Sequence, residues 1–194
     1  MNLFEANKKK ILEKTSPLST RIRPRNLEDY IGQNHLIEPG TILRNAIDKD
    51  NVPSMIFWGP AGVGKTTLAK IISTSTQSFF VQLSAVTSGV KEVRKIIEES
   101  EYRLGELSQR TILFIDEIHR FSKSQQDALL SGVEEGIITL IGATTENPSF
   151  TIINPLLSRT RTFTLNPLSE TELLRVIDRA LLDHASGVGG FNVD

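Results

Sequence analysis

Gly59-Pro60-Ala61-Gly62-Val63-Gly64-Lys65-Thr66 satisfies, at every fixed position, the pattern G-x-x-x-x-G-K-[ST] of a phosphate-binding loop. Before it, Met55-Ile56-Phe57-Trp58 is a continuous apolar run, as expected of a strand buried on both faces of a parallel sheet. After it, Thr67-Leu68-Ala69-Lys70-Ile71-Ile72 has helical spacing. Strand, glycine loop and helix come in the order the chemistry needs. Glycines let consecutive backbone N–H groups converge on one anion, and the helix N-terminus adds partial positive charge. Lys65 is expected at the β- and γ-phosphates, and the Thr66 hydroxyl at Mg²⁺. The alternative is a chance match in a glycine-rich turn, and the flanking strand and helix count against it.

Downstream, Phe79–Ser84 reads as a second strand, and Ser88-Gly89 opens a helix with Val93, Ile96, Ile97, Ser100 and Leu104 on its core face. Residues 111–117 form a third strand, apolar until it ends in Asp116-Glu117. Residues 138–145 form a fourth, ending in Thr144-Thr145, and residues 162–165 a short fifth. Strands alternating with helices, with polar residues after the strand ends, describe a doubly wound parallel α/β sheet. Upstream, Pro24 keeps Arg23 out of a helix, so the segment from Arg21 to Gln33 is expected to run extended. A short helix follows over 41–50, with Ile42, Leu43, Ala46 and Ile47 on its inner stripe. Asn166-Pro167-Leu168 breaks the alternation, and residues 170–184 start a new helical unit with Leu173, Leu174, Ile177 and Leu181 along one side. The glycine-rich residues from 185 onward have no packing pattern.

The 194 residues are 39% hydrophobic and 23% charged, which suits a globular domain able to bury a core. A formal net charge of -1 gives no overall pull toward nucleic acid. With no cysteine, disulfides and thiolate metal sites are excluded, and a reducing cytosol is the expected setting. No apolar run is long enough to span a bilayer, so no membrane role is expected. Basic residues crowd the N-terminal arm, where Lys8, Lys9, Lys10 and Lys14 read as a solvated segment or as contacts to phosphate.

Asp116 and Glu117 are the second chemical signal. An acid on the strand beside the phosphate loop can hold Mg²⁺, and a neighbouring one can polarise the water that attacks the γ-phosphorus. Asp116-Glu117-Ile118-His119 also spells a D-E-x-H box of superfamily 2 helicases, but those need two motor domains and this chain is too short for both. With no other His or Cys close in sequence, His119 reads as a structural or supporting residue rather than a metal ligand. A hydroxyl at Thr144 or Thr145 can touch the γ-phosphate or the attacking water. Arg159 and Arg161 follow a turn, where an arginine can pair with an acid of its own domain or reach a neighbouring subunit's nucleotide.

Together these elements stand in the order found in AAA+ ATPases. The chain resembles the clamp-loader-related group, within it the RarA/MgsA (replication-associated recombination protein A) family related to the Werner-helicase-interacting protein. The strings that carry the resemblance are Pro17-Leu18 through Arg23-Pro24-Arg25 to Ile31-Gly32-Gln33, Leu83 to Lys91, Asp116-Glu117-Ile118-His119-Arg120-Phe121, and Ile141 to Phe150. It implies a P-loop NTPase of AAA+ type, a five-stranded parallel sheet sandwiched by helices, with the start of a small helical lid. The implied boundaries are an arm over 1–16, an ATPase domain over 17–166 and a lid segment over 167–194. The resemblance implies ATP and Mg²⁺ as cofactors. Arg23, Pro24, Tyr30 and Ile31 would line the adenine pocket, Gly59 through Thr67 would hold the phosphates, and Thr66 and Asp116 the metal. Glu117 would be the base, Lys65 the phosphate-side cation, Thr145 the sensor on the fourth strand, with Thr144 and Asn147 as alternative holders of that position, and Arg159 the finger in Ser158-Arg159-Thr160.

Members of that family are DNA-dependent ATPases acting at stalled or damaged replication forks, in replication, recombination and repair. DNA, further copies of the chain, and single-strand-binding protein or the replication machinery are the partners it implies, at the nucleoid in the cytoplasm. The chain departs from the family in stopping before the second sensor arginine and the oligomerisation region, so weak assembly and low turnover are expected of it alone. A clamp-loader-like ATP switch acting on a protein partner is the competing function, and a non-enzymatic binding module is a third. Intact Lys65, Asp116, Glu117 and Arg159 count against the last. Lys91, Arg94 and Lys95 read as a solvated helix face or as one turned toward DNA.

Overall fold

The computed structural model describes residues 16–184 and 186–189, so expectations for the arm before Ser16 lie outside the described residues. Five strands, β1 (Met55–Trp58), β2 (Phe79–Ser84), β3 (Thr111–Asp116), β4 (Ile138–Thr144) and β5 (Arg161–Thr164), make one sheet in the order β2-β3-β4-β1-β5. Every pairing is parallel. The anticipated class is the observed one, and strand limits differ by no more than a residue. One expectation fails: the strand bearing Asp116 does not lie beside the phosphate-loop strand, because β4 stands between them. Local patterning specifies that a strand exists, whereas its neighbours are chosen by crossover connections that the pattern does not encode.

β1 lies inside the sheet between β4 and β5, as suits a strand apolar on both faces; Met55, Ile56 and Phe57 are all fully buried. β2 closes one edge with half-exposed residues, and its Phe80 stacks on Phe114 of β3 at 6.0 Å. Side chains alternate between the two faces of the sheet. On one, Ile56, Leu113, Ile115, Ile138 and Leu140 pack with Val93, Ile96 and Ile97 of one long helix and Leu129 of another.

Four helices of the larger unit and one of the smaller matter here. α1 (Ile42–Asp48) begins at Thr41, whose hydroxyl accepts from the Arg44 N–H. Its buried residues are Leu43 and Ile47, while Ile42, anticipated on the inner stripe, is 64% exposed. α2 (Lys65–Ser75) starts directly from the glycine loop, and Lys70 reaches over the Phe80 ring. α3 (Val90–Leu107) buries the expected Val93, Ile96, Ile97 and Ser100. Lys91, Arg94 and Lys95 are exposed, and Lys95 pairs with Glu99 at 3.8 Å.

α4 (Lys123–Glu134) was not anticipated, although Ser122 and Gln125 form a capping box that a local reading can find. Leu129 of this helix is fully buried in the core on the α3 side of the sheet. Leu129→Ala should therefore cost about 2–5 kcal/mol, read as a lower midpoint in denaturant unfolding.

The chain divides into two compact units. The larger consists of Arg25–Leu27 and Gln33–Pro167 and contains the sheet. The smaller takes the described residues of Met1–Pro24, Glu28–Gly32 and Leu168–Asp194. Its principal helix, α5 (Glu170–Leu182), starts from a Ser169–Glu172 capping box. Hydrogen bonding to Ser169 holds the Glu172 carboxyl below its usual range. Within the same unit Arg179 donates to the Asp29 carbonyl at 2.8 Å. Leu173, Leu174, Ile177 and Leu181 share a side of α5 as expected, but that side is exposed. Beyond the helix, the Val188 N–H donates to the Ala180 carbonyl at 2.9 Å, so this part of the glycine-rich tail does fold back. No described helix is long and apolar enough to cross a membrane.

Candidate nucleotide site

At the C-terminal end of β1 the chain turns sharply at Gly59. A Cβ there would sit 2.3 Å from the Leu165 carbonyl oxygen, so only glycine lets the loop leave between β4 and β5. The Gly59 N–H donates to the Thr144 carbonyl and the Leu165 N–H to that of Trp58, which fixes the loop's root on both sides. Gly62 and Gly64 then take positive φ, at 80° and 98°. That conformation turns N–H groups toward a common centre and leads directly into α2. Val63 and Lys65 are buried, Gly64, Thr66 and Thr67 half-buried, and Pro60, Ala61 and Gly62 exposed.

The Lys65 ammonium donates to the carbonyls of Gly59 at 2.6 Å and Pro60 at 2.7 Å. Burial pushes its pKa below the ordinary lysine value, while the charges of Glu117 and Asp116 act in the opposite sense. Both acids therefore stand near enough to be felt by this ammonium across the width of β4. A buried ammonium satisfied only by backbone carbonyls is ready to exchange them for phosphate oxygens, which offer stronger charge-assisted bonds. Lys65→Ala should weaken ATP binding roughly 10- to 100-fold, the equivalent of about 1.5–3 kcal/mol for a bond to a charged group. Titration of a fluorescent ATP analogue measures it.

Asp116 ends β3, and Glu117 leaves the strand with φ 54°. Positive φ is uncommon outside glycine and is held only where surrounding structure requires it. The turn leads into a 3-10 helix over Ile118–Arg120. The Asp116 carboxylate and the Thr66 hydroxyl are hard oxygen donors of the type that could hold Mg²⁺, an ion usually bound by one or two protein oxygens together with water and phosphate oxygens. Among the described residues no group of three His, Cys, Asp or Glu side chains forms a metal cage, and this ion does not require one.

The end of β4 contributes two threonines in different settings. Thr144 is fully buried; its hydroxyl accepts from the Glu146 N–H at 3.0 Å and lies 3.0 Å from His119 Nδ1. Thr145 is exposed. The reading of His119 as a supporting residue fits its surroundings, since its Nε2 faces Glu117 at 3.3 Å and Glu146 at 3.6 Å. Glu146 was not anticipated, and no local pattern marks it: its relevance comes from the proximity of two strand ends.

Arg159 is not gathered into this cluster. Its Nε pairs with Glu134 Oε1 at 2.7 Å, at the end of α4, and its Nη1 donates to the Pro155 carbonyl and Ser158 Oγ. Arg161 is exposed at the start of β5. The residues assigned to the adenine pocket belong to the smaller unit: Arg23, Pro24 and Ile31 are half-buried, and burial of Tyr30 pushes its hydroxyl pKa up.

Residues 22–154 match the family described as the Holliday junction DNA helicase RuvB P-loop domain. The replication-associated recombination protein A of Coxiella burnetii is 51% identical over 173 residues, 89% of this chain and 39% of that protein. Its namesake from Escherichia coli strain K12 is 50% identical over 177 residues, 91% of this chain and 39% of that protein. The chain thus spans about two fifths of the length of these relatives. Among solved structures, the Thermotoga maritima RuvB Holliday junction branch migration motor superposes with a TM-score of 0.69 at 31% identity. The match covers 83% of this chain and 54% of that one.

Proposed function

The chain belongs to the family of the RuvB P-loop domain, and we infer that it is the ATPase region of a protein of the replication-associated recombination protein A group. From that premise we propose a DNA-dependent ATPase that acts at stalled or damaged replication forks. The observation that carries the ATPase part of the reading is Lys65, a buried ammonium seated in the phosphate loop and under the charge of both Asp116 and Glu117, while the DNA part rests on the names of the relatives.

In this reading the loop of residues 59–67 cradles the triphosphate, which is bound by backbone N–H groups beyond Pro60 and by the Lys65 ammonium, and Arg23, Pro24, Tyr30 and Ile31 receive the adenine. Thr66 and Asp116 hold Mg²⁺, which supplies neutralisation of the charge that develops on the phosphate oxygens. Glu117 accepts the proton of the attacking water, and Thr145 orients that water or the terminal phosphate. Rate enhancement comes from positioning and charge rather than from covalent chemistry. Arg159 acts on the nucleotide of an adjoining copy, which makes the working form a homo-oligomer. The functional division is an arm to residue 16, the ATPase domain over 17–166 and a lid from 167. Its place is on DNA at the nucleoid, alongside single-strand-binding protein or the replication machinery.

The test is ATP turnover by the full-length protein with single-stranded ends, plain duplex, forked DNA and a sliding clamp, each added alone. Stimulation by forks or strand ends is the expected result. Stimulation confined to the sliding clamp would replace this function with that of a switch acting on a protein partner.

A further inference from the structure

His119 is the one buried imidazole of the nucleotide site, its side chain only 8% exposed, and it joins two strand ends. Nδ1 lies 3.0 Å from the Thr144 hydroxyl, and Nε2 lies 3.3 Å from Glu117 Oε2 and 3.6 Å from Glu146 Oε1. We propose that His119 is the positioning residue for Glu117, held in place by Thr144. This deepens the reading of Glu117 as the base and rests on it.

Counting the protons around Thr144 assigns the tautomer. Its oxygen accepts from the Glu146 N–H, and its single proton has two acceptors in reach, His119 Nδ1 at 3.0 Å and the Glu146 carbonyl at 3.2 Å. A neutral ring protonated on Nδ1 would turn the Nε2 lone pair toward two carboxylates, an unfavourable arrangement. The carboxylates therefore select the Nε2–H form, and the Thr144 proton goes to Nδ1. If the ring gains a second proton, Nδ1–H donates to the Thr144 oxygen and the hydroxyl turns to the Glu146 carbonyl. Because that hydroxyl can rotate, Nε2–H faces the acids in either state.

The consequence for Glu117 is directional. The carboxylate oxygen nearer the ring, Oε2, lies within ion-pair reach of Nε2 at 3.3 Å, which biases the side chain so that Oε1 is the oxygen turned to a water proton. At 36% exposure Glu117 would otherwise sample several rotamers. Glu146 faces the same N–H from the loop after β4, next to Thr145. The hold on the base is thereby shared with the strand end that carries the threonine pair.

The experiment compares His119→Ala, His119→Gln, Glu117→Gln and the His119→Ala/Glu117→Gln double variant in the full-length protein, measuring kcat, KM and ATP affinity. His119→Ala should lower kcat about tenfold with KM and affinity within about twofold, the mark of an interaction that matters in the transition state. His119→Gln, which restores an N–H donor, should recover most of the loss. In the double variant the His119 change should cost nothing beyond Glu117→Gln, because residues acting as a unit are non-additive. A His119→Ala kcat within about twofold of the parent, or a loss that multiplies onto Glu117→Gln, overturns the proposal. Should His119→Ala not fold, Thr144→Val serves instead: it releases Nδ1 and should lower kcat alone, and an unchanged kcat there overturns the proposal too. Full turnover in Glu117→Gln is a different outcome, since it removes the assignment of the base itself.

Discussion

Glu117→Gln should slow ATP turnover by about 10²- to 10⁴-fold, the range a positioned general base contributes. Binding should survive, because the loop, its two positive-φ glycines and Lys65 are untouched. Affinity should even hold or tighten: the substitution removes a negative charge from beside a site for an anion. Gln matches Glu in size and meets the same backbone requirement at φ 54°, so the substitution tests proton acceptance with the least change of geometry. Single-turnover hydrolysis with a parallel binding titration separates these quantities. Turnover close to that of the parent would mean that another group accepts the proton.

Arg159→Ala carries the second large effect, a loss on the order of 10³-fold in assembled protein, by the scale of arginines that reach a neighbouring nucleotide. In protein too dilute to associate the substitution should leave turnover unchanged, so the dependence on protein concentration is the measurement. The pairing of Arg159 with Glu134 does not oppose this role. Both side chains are about two-fifths exposed, and such a pair is worth only about 0–1 kcal/mol. An arginine held that loosely can exchange its carboxylate for a phosphate when a second subunit presents one. A rate loss of equal size at every concentration would confine Arg159 to a role within its own chain.

The phosphate loop was legible because its chemistry is local: the glycines, Lys65 and Thr66 must be consecutive for the backbone to wrap an anion. Strand existence was equally legible, since continuous apolar runs such as 55–58 and 112–115 fit a sheet covered on both faces. Helix α4 carries a local signal in the capping box of Ser122 and Gln125. Ile42 misled because its spacing fits the inner stripe of α1 although its side chain is outside. What no local pattern held was adjacency. The interposition of β4, the meeting of His119 with Thr144 and Glu146, and the pairing of Arg159 with Glu134 all join residues brought together only by the crossovers of the sheet.

That interposed strand has a geometric consequence. Hydrogen-bonded strands keep a spacing of about 4.8 Å, so the loop rooted on β1 and the acids rooted on β3 are held roughly 9–10 Å apart at the sheet. The gap is a gauge cut by backbone pairing: wide enough to admit a phosphoryl group and a water in line, too stiff to be retuned by a flexing loop. Evolution of rate in such a site is left to side-chain aim and to what neighbouring subunits bring, while the span itself stays as constant as the ladder that rules it.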